Sequence, residues 1–308
     1  MIDAARTPIG KYRGSLSPFT AVELGTLVTK GLLDKTKLKK DKIDQVIFGN
    51  VLQAGNGQNV ARQIALNSGL PVDVPAMTIN EVCGSGMKAV ILARQLIQLG
   101  EAELVIAGGT ESMSQAPMLK QYQSETNEYG EPISSMVNDG LTDAFSNAHM
   151  GLTAENVATQ FSVSREEQDR YALSSQLKAA HAVEAGVFSE EIIPVKISDE
   201  DVLSEDEAVR GNSTLEKLGT LRTVFSEEGT VTAGNASPLN DGASVVILAS
   251  KEYAENNNLP YLATIKEVAE VGIDPSIMGI APIKAIQKLT DRSGMNLSTI
   301  DLFEINEA

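Results

Sequence analysis

Residues 74–100 read Val74-Pro-Ala-Met-Thr-Ile-Asn-Glu-Val-Cys83-Gly-Ser-Gly-Met-Lys-Ala-Val-Ile-Leu-Ala-Arg-Gln-Leu-Ile-Gln-Leu-Gly100. A short apolar run of strand character breaks at Cys83-Gly84-Ser85-Gly86, and a helical pattern follows until Gly100, a C-terminal cap. The next apolar run, Glu103-Leu-Val-Ile-Ala-Gly-Gly109, is typical of a buried strand. These residues therefore predict a βαβ unit in which Cys83 lies where the first strand meets the helix.

Cys83 has two possible roles at this position. The unpaired N–H groups and the positive dipole at a helix N-terminus favour a thiolate, and the glycines that follow allow a substrate carbonyl close to the backbone. Both are properties of a nucleophilic cysteine. A lone cysteine is also commonly a small buried hydrophobe, and topology alone leaves both interpretations open.

Composition limits the class of protein. The chain has 308 residues, of which 42% are apolar, enough for one large or two ordinary α/β domains. A formal charge of −16 argues against binding to nucleic acid or to an anionic membrane, and no apolar run is long enough to predict a membrane span. The single cysteine cannot form an internal disulfide, which favours a reducing, cytoplasmic location.

Capping signals and hydrophobic periodicity predict further elements along the chain. They are a helix capped by Thr20 and Glu23, strands over 43–48, 243–250 and 300–306, and helices over 60–68, from Ser164 to Gly186 and near 282–289. The pattern of a helix, Ile-Asp and a strand occurs at both ends, which suggests duplicated halves, the second of them cut short. The irregular stretch between the halves predicts an inserted subdomain.

His149 and the turn from Thr230 to Gly242 are candidates for a binding site. His149 could act as a base or substrate ligand, but spacing alone favours a packed histidine that bonds backbone groups, and His181 is predicted to be solvated. The small polar residues of the turn could let a ligand lie against the backbone, or form a plain turn. One cysteine and two separated histidines predict no metal site.

Together these segments resemble the thiolases, in particular the acetyl-CoA acetyltransferase branch. The matching segments lie in the family's order over the whole chain: Arg6-Thr-Pro-Ile-Gly10, Gly49-Asn50-Val51, Asn80-Glu-Val-Cys83-Gly-Ser-Gly86, Ala107-Gly-Gly-Thr-Glu-Ser-Met-Ser114, His149-Met-Gly-Leu-Thr-Ala-Glu155, Gly229 to Gly242, Asp274-Pro-Ser-Ile-Met-Gly279 and Glu304-Ile-Asn-Glu-Ala308. The sequences of residues 45–59 and 80–103 are similar to the thiolase part of a bacterial bifunctional enzyme of the mevalonate pathway. In that enzyme the thiolase is fused to a hydroxymethylglutaryl-CoA reductase.

The resemblance implies an α/β thiolase fold, a duplicated five-layer α/β/α/β/α core with an inserted loop domain and a truncated second half. The implied boundaries are 1–112 plus 240–260 for the first half, 113–239 for the coenzyme A-binding loop domain and 261–308 for the incomplete second half. It also implies a homodimer or homotetramer, a possible fused reductase domain, and coenzyme A thioesters as substrates with no resident cofactor.

The resemblance also assigns residues to roles. Cys83 matches the nucleophile that accepts the acetyl group, and Asn306 matches a residue that orders a water beside a thioester oxyanion. The positions that match the acyl and pantetheine pocket or the coenzyme A site are Leu141, His149, Met150, Phe225, Ser237, Met278 and Ala308, with Arg210 near the nucleotide end.

The implied activity is condensation of two acetyl-CoA molecules to acetoacetyl-CoA through acetyl-Cys83, or the reverse thiolysis. Two features depart from the family's pattern: Pro238 replaces a glycine, and the expected catalytic histidine and second cysteine lie beyond the Asn-Glu-Ala segment. The chain is therefore expected to lack both. The alternatives are a catalytically incomplete coenzyme A-binding fragment and another condensing enzyme of the same superfamily.

Overall fold

The computed structural model describes residues Met1 to Ala308. Its strands are β1 Asp3–Arg6, β2 Gly10–Lys11, β3 Gln45–Gly49, β4 Ala76–Ile79, β5 Leu104–Ser112, β6 Met118–Leu119, β7 Tyr122–Gln123, β8 Glu128–Tyr129, β9 Ile133–Ser134, β10 Val195–Lys196, β11 Val202–Leu203 and β12 Asn240–Ala249. Its α-helices are α1 Ala21–Thr36, α2 Val60–Asn67, α3 Ser85–Gln98, α4 Met150–Gln160, α5 Arg165–Glu184, α6 Leu215–Gly219, α7 Lys251–Asn256 and α8 Ala281–Ser293. Short 3₁₀ or π turns lie at Lys40–Lys42, Met136–Leu141, Val187–Glu190, Pro275–Ile280 and Leu297–Thr299.

The main sheet is mixed, with strand order β1-β12-β5-β3-β4 and β2 paired to β12. Strand β3 runs parallel to both β4 and β5, whereas β12 is antiparallel to β5 and β1. The predicted βαβ unit is confirmed: β4, α3 and β5 follow one another, and β3 lies between the two strands. Gly100 has a φ of +73°, as expected of a glycine that ends a helix.

Helices cover both faces of this sheet. On one face α1 and α2 bury Leu24, Val28 and Ile64 against the strands. On the other face the small residues Ala89 and Ala93 of α3 pack against the sheet. Since both faces are covered, β5 is buried along most of its length and lacks the alternation of a half-exposed strand.

The chain divides into two compact units. Unit 1 comprises 1–140, 186–208 and 239–265 and contains the main sheet. Unit 2 comprises 141–185, 209–238 and 266–308, and its regular structure is helical. Residues of the predicted insertion, 113–239, occur in both units. The two units are defined by contacts in space, so they do not test the predicted boundaries of the family's halves, which stay a prediction.

The strand predicted over 300–306 is wrong. The segment has no regular secondary structure, and Leu302 is 88% exposed. A strand needs a neighbour for its backbone hydrogen bonds, and no strand of this chain pairs with these residues. The apolar pattern alone could not show that the partner is absent.

None of the helices is long and apolar enough to cross a membrane.

Candidate functional site

The turn that carries Cys83 joins β4 to α3. Strand β4 ends at Ile79 and α3 begins at Ser85, and the free thiol of Cys83 lies exposed between them. The preceding residue, Val82, has a φ of +49°. This left-handed conformation is unfavourable for a β-branched side chain and costs on the order of 1–3 kcal/mol. The turn is therefore strained next to the thiol.

Ser85 closes this turn with its buried hydroxyl. Its Oγ accepts a hydrogen bond from the backbone N–H of Glu81 at 2.8 Å and donates one to the carbonyl of Val82 at 2.6 Å. The side chain of Asn80 accepts from the N–H of Val82 at 2.9 Å. No side chain caps the N-terminus of α3, so its first-turn N–H groups are not occupied by a capping residue.

Three glycines bring the first turn of α3 directly onto the sheet. A methyl group on Gly49, at the end of β3, would lie 2.5 Å from the carbonyl carbon of Ser85 and 2.7 Å from the backbone nitrogen of Gly86. A methyl group on Gly109, which lies within β5 and pairs with Gly49, would lie 3.3 Å from the Cα of Gly86. Backbone therefore packs on backbone at this point, and no side chain separates the helix from the strands.

The carboxylate of Glu111 lies at the same end of the sheet. It accepts hydrogen bonds from the side-chain amide of Asn50 at 2.9 Å and from the backbone N–H groups of Val51 and Leu52 at 2.9 and 3.2 Å. Burial raises the pKa of Glu111, and these hydrogen bonds offset only part of the rise. No local signal in the sequence indicates a role for Glu111, because its partners lie about 60 positions earlier in the chain.

His149 caps the N-terminus of α4 in unit 2. Its Nδ1 accepts a hydrogen bond from the N–H of Gly151 at 3.1 Å, and its ring stacks on Phe225 with centroids 4.8 Å apart. In the neutral ring Nε2 then carries the proton and can donate a hydrogen bond. His149 is therefore packed and bonded to the backbone, as its spacing in the sequence favoured. Its role in substrate binding stays a prediction. His181 is exposed, as predicted.

Glu155, the last residue of the motif that begins at His149, holds the loop after Phe225. Its carboxylate accepts from the N–H groups of Thr230 and Val231 at 2.8 Å and from the hydroxyl of Thr230 at 2.9 Å. The spacing of His149 and Glu155 places them at the start of α4 and one and a half turns later. The start of α4 therefore provides one partner of the ring contact with Phe225, and its second turn provides the acceptor for the N–H groups of Thr230 and Val231.

The other predicted residues of unit 2 lie as follows. Leu141 ends the π turn, Met150 begins α4, and Met278 lies in the 3₁₀ turn that is tied to α4 by Asn156 Nδ2 and the carbonyl of Ser276 at 2.9 Å. Arg210 is exposed, and its N–H donates to the side chain of Gln176 at 2.7 Å.

Two predicted residues meet at the C-terminal segment. The N–H of Ser237 donates to the carbonyl of Ala308 at 2.9 Å. Asn306 is exposed, and the neighbouring Glu307 accepts from the hydroxyls of Tyr171 at 3.0 Å and Ser175 at 2.5 Å. The hydrogen bond to Glu307 raises the pKa of Tyr171.

The structure thus brings together two predicted pairs, His149 with Phe225 and Ser237 with Ala308, all in unit 2. Cys83 belongs to unit 1 and has its own set of neighbours. No group of three or more histidine, cysteine or acidic side chains could hold a metal ion.

Comparison with known families and proteins supports the resemblance. The model of the thiolase N-terminal domain matches residues 1–252, and that of the thiolase C-terminal domain matches 259–308. The chain is 49% identical to a "Probable acetyl-CoA acyltransferase" of Staphylococcus aureus (strain COL), over 99% of this chain and 79% of that protein. It is also 49% identical to a "Probable acetyl-CoA acetyltransferase" of Escherichia coli (strain K12), over 100% of this chain and 80% of that protein.

Solved structures agree with the fold. The human mitochondrial 3-ketoacyl-CoA thiolase in complex with CoA has a TM-score of 0.95 and 41% identity, covering 100% of this chain and 78% of its own. The acetyl-CoA acetyltransferase of Bacillus anthracis also has a TM-score of 0.95, with 40% identity over 100% of this chain and 79% of its own. The predicted α/β thiolase fold is confirmed.

Two expectations from the sequence do not stand after these comparisons. The model of the family's C-terminal domain matches part of this chain, so the expectation that the chain lacks catalytic residues is not borne out. A fused reductase has no support, because the relatives align over 99–100% of this chain and their names mention only acyl transfer. With both family models matched and about half of the residues identical to these relatives, the chain belongs to the thiolase family.

Proposed function

We propose that this thiolase transfers an acetyl group between coenzyme A thioesters, with Cys83 as the covalent carrier. The observation that carries the proposal is the exposed thiol of Cys83 at the uncapped N-terminus of α3. The positive end of a helix dipole favours negative charge, and a negative sulfur is the attacking form of cysteine. Relatives named for acetyl-CoA acyl transfer support the same chemistry.

The proposed reaction has two halves. The sulfur of Cys83 attacks the thioester carbonyl of acetyl-CoA, the bond to the coenzyme A sulfur breaks, and the released thiolate takes a proton. A second acetyl-CoA then loses a proton from its α-carbon, the carbanion attacks the acetyl-Cys83 carbonyl, and the bond between that carbonyl carbon and the Cys83 sulfur breaks. Acetoacetyl-CoA forms and the sulfur of Cys83 is released. In the net reaction the thiol proton of Cys83 leaves on coenzyme A, and the α-carbon proton replaces it on Cys83. Thiolysis is the same sequence in reverse.

For unit 2 we propose the substrate-binding roles that the family resemblance assigns. His149 is fixed by its bond to Gly151 and by the Phe225 ring, so Nε2–H is held in one direction and can donate to a thioester oxygen. The residues proposed to line the acyl and pantetheine path are Leu141, Met150, Phe225, Ser237, Met278 and Ala308. Arg210 is proposed to face the nucleotide end, and Asn306 to order a water at the oxyanion.

Three further properties are proposed with this function. The protein acts in the cytoplasm as a homodimer or homotetramer, uses no resident cofactor, and contributes acetoacetyl-CoA to the mevalonate pathway. The single cysteine agrees with a reducing compartment.

The test is an intact-mass measurement of the protein incubated with acetyl-CoA. We expect the mass to rise by one acetyl group, and the adduct to disappear on addition of free coenzyme A, which reverses the first half-reaction. The Cys83→Ser variant is the control and should gain nothing. Binding of coenzyme A without an acetyl adduct would favour the alternative of a non-catalytic coenzyme A-binding protein.

A second assay addresses condensation. Acetoacetyl-CoA should appear when the acetylated protein receives fresh acetyl-CoA, and size-exclusion chromatography with light scattering gives the oligomeric state. An adduct that forms and never yields acetoacetyl-CoA would restrict the function to the first half-reaction.

A further inference from the structure

The backbone around Asn50 connects the buried carboxylate to the strand that leads to Cys83. The N–H of Asn50 donates to the carbonyl of Ile79, the last residue of β4, at 3.0 Å. Its side-chain amide donates to the carbonyl of Thr110 and to Glu111, both at 2.9 Å. Asn50 therefore joins the ends of β4 and β5, the two strands that flank β3.

Glu111 fixes the chain on both sides of this junction. One carboxylate oxygen accepts from the Asn50 amide and from the Leu52 N–H, and the other accepts from the Val51 N–H. The residue before Asn50 is Gly49, on which the backbone of Ser85 and Gly86 rests. Any rotation of the Asn50 peptide would therefore move the surface that supports the first turn of α3.

We propose that Glu111 is a positioning residue for Cys83: it clamps residues 50–52 so that Gly49 and Gly109 present a rigid surface to the helix turn beside the thiol. The inference rests on the proposed nucleophilic role of Cys83 and deepens it. Glu111 does not touch Cys83; it acts through Asn50 and the glycine contacts. The clamp fixes where the thiol stands relative to the helix N-terminus.

The energetics of Glu111 suit a functional role better than a stabilising one. Burial raises its pKa in spite of three hydrogen bonds, so the ionised side chain is disfavoured by folding. Glutamine would relieve that cost, but its amide nitrogen cannot accept a hydrogen bond, so at least one donor of residues 50–52 would lose its acceptor. Residues that persist at a cost in stability are commonly found where activity requires a fixed geometry.

The test uses Glu111→Gln and, as a matched control, Asp44→Asn. Asp44 lies just before β3, at the other end of the same strand pair, and its carboxylate accepts from the N–H groups of Glu103 and Leu104 at 2.7 and 2.9 Å. Each variant replaces a carboxylate that binds backbone amides by its isosteric amide. Only Glu111 lies at the end of the strands that supports Cys83.

Three quantities are measured for each protein: the melting temperature, the rate of Cys83 alkylation by iodoacetamide, and the rate of acetylation by acetyl-CoA. We expect Glu111→Gln to slow alkylation by about tenfold, since small displacements of a reacting group have large kinetic effects. Its melting temperature should stay close to that of the wild type, because relief of the buried charge and loss of a hydrogen bond act in opposite directions. The limiting acetylation rate should fall similarly, with the half-saturating acetyl-CoA concentration unchanged. Asp44→Asn should alkylate at the wild-type rate.

Equal alkylation rates in the wild type, Glu111→Gln and Asp44→Asn would overturn the inference. A loss of melting temperature and alkylation rate that is shared by both variants would overturn it too, because it would show a structural role only. The alkylation assay needs no acetyl-CoA. A wild type that alkylates normally and never acetylates would therefore contradict the proposed function while leaving the positioning role measurable.

Discussion

The turn at Cys83 and the region at the start of α4 are fixed in different ways. Around Cys83 the helix backbone lies on strand backbone through Gly49, Gly86 and Gly109. Around α4 the contacts are made by side chains, as His149 caps the helix and Glu155 binds the amides of the loop at 230–231. One region depends on the absence of side chains, and the other on particular polar ones.

This difference predicts different responses to substitution. Where backbones touch, an added methyl group has no rotamer by which to escape, so the helix or the strand must move. Where a carboxylate holds a loop, its removal leaves N–H groups without partners, and water can replace part of the loss. The first region should therefore tolerate change less than the second.

We expect the largest effect from Gly49→Ala. The new methyl group would lie 2.5 Å from the carbonyl carbon of Ser85, and overpacking against backbone should cost about 3 kcal/mol or more of unfolding free energy. Urea denaturation followed by circular dichroism measures this cost. A variant that no longer gives soluble protein would be the extreme form of the same result. The control is Gly219→Ala at the end of α6, where an added methyl group meets nothing within 4 Å, and which should change stability by less than about 1 kcal/mol.

Equal stability of the two alanine variants would show that α3 moves away from the sheet without cost. The expected difference in tolerance between the turn at Cys83 and the region at the start of α4 would then have no support.

A smaller effect is expected from Glu155→Ala in unit 2. The substitution removes the acceptor for the N–H groups of Thr230 and Val231, and partly buried amides without a partner cost roughly 1–2 kcal/mol. Hydrogen exchange should become faster at 229–232, while α3 exchanges as in the wild type. Protection that persists at 229–232 would mean that the loop is held without Glu155.

The smallest effect is the pH dependence due to Glu111. Its pKa is raised by burial above the ordinary value of 4.5, so the folded protein binds the proton more tightly than the unfolded chain. The stability that this gives is fully present below the ordinary value and is lost as the pH rises through the raised pKa. The melting temperature of the wild type minus that of Glu111→Gln should therefore fall as the pH rises above the ordinary value. A difference that rises over this range would contradict the assigned direction.

Local signals could be predicted from the sequence. The capping boxes at Thr20 and Ser164 begin helices at the next residue, because each depends on residues three positions apart. The position of Cys83 between a strand and a helix followed from the glycine break in one short segment. The position of Cys83 in the fold was therefore predictable from the sequence, whereas the strained turn at Val82 was not.

Contacts between distant residues were not available in the same way. Nothing local indicates that β12 enters the sheet between β1 and β5, or that Glu111 binds residues 50–52. The strand predicted over 300–306 failed for the same reason, since a strand depends on a partner that its own residues do not encode.

The left-handed conformation of Val82 has a practical consequence for transferring this site to another protein. Glycine would adopt that conformation freely, whereas valine adopts it only when Asn80 and Ser85 hold the peptides on either side. Transferring Cys83 alone would therefore move the thiol without the turn conformation that positions it. The smallest transplantable segment is Asn80 to Gly86, placed above two neighbouring strands that each have a glycine at the contact.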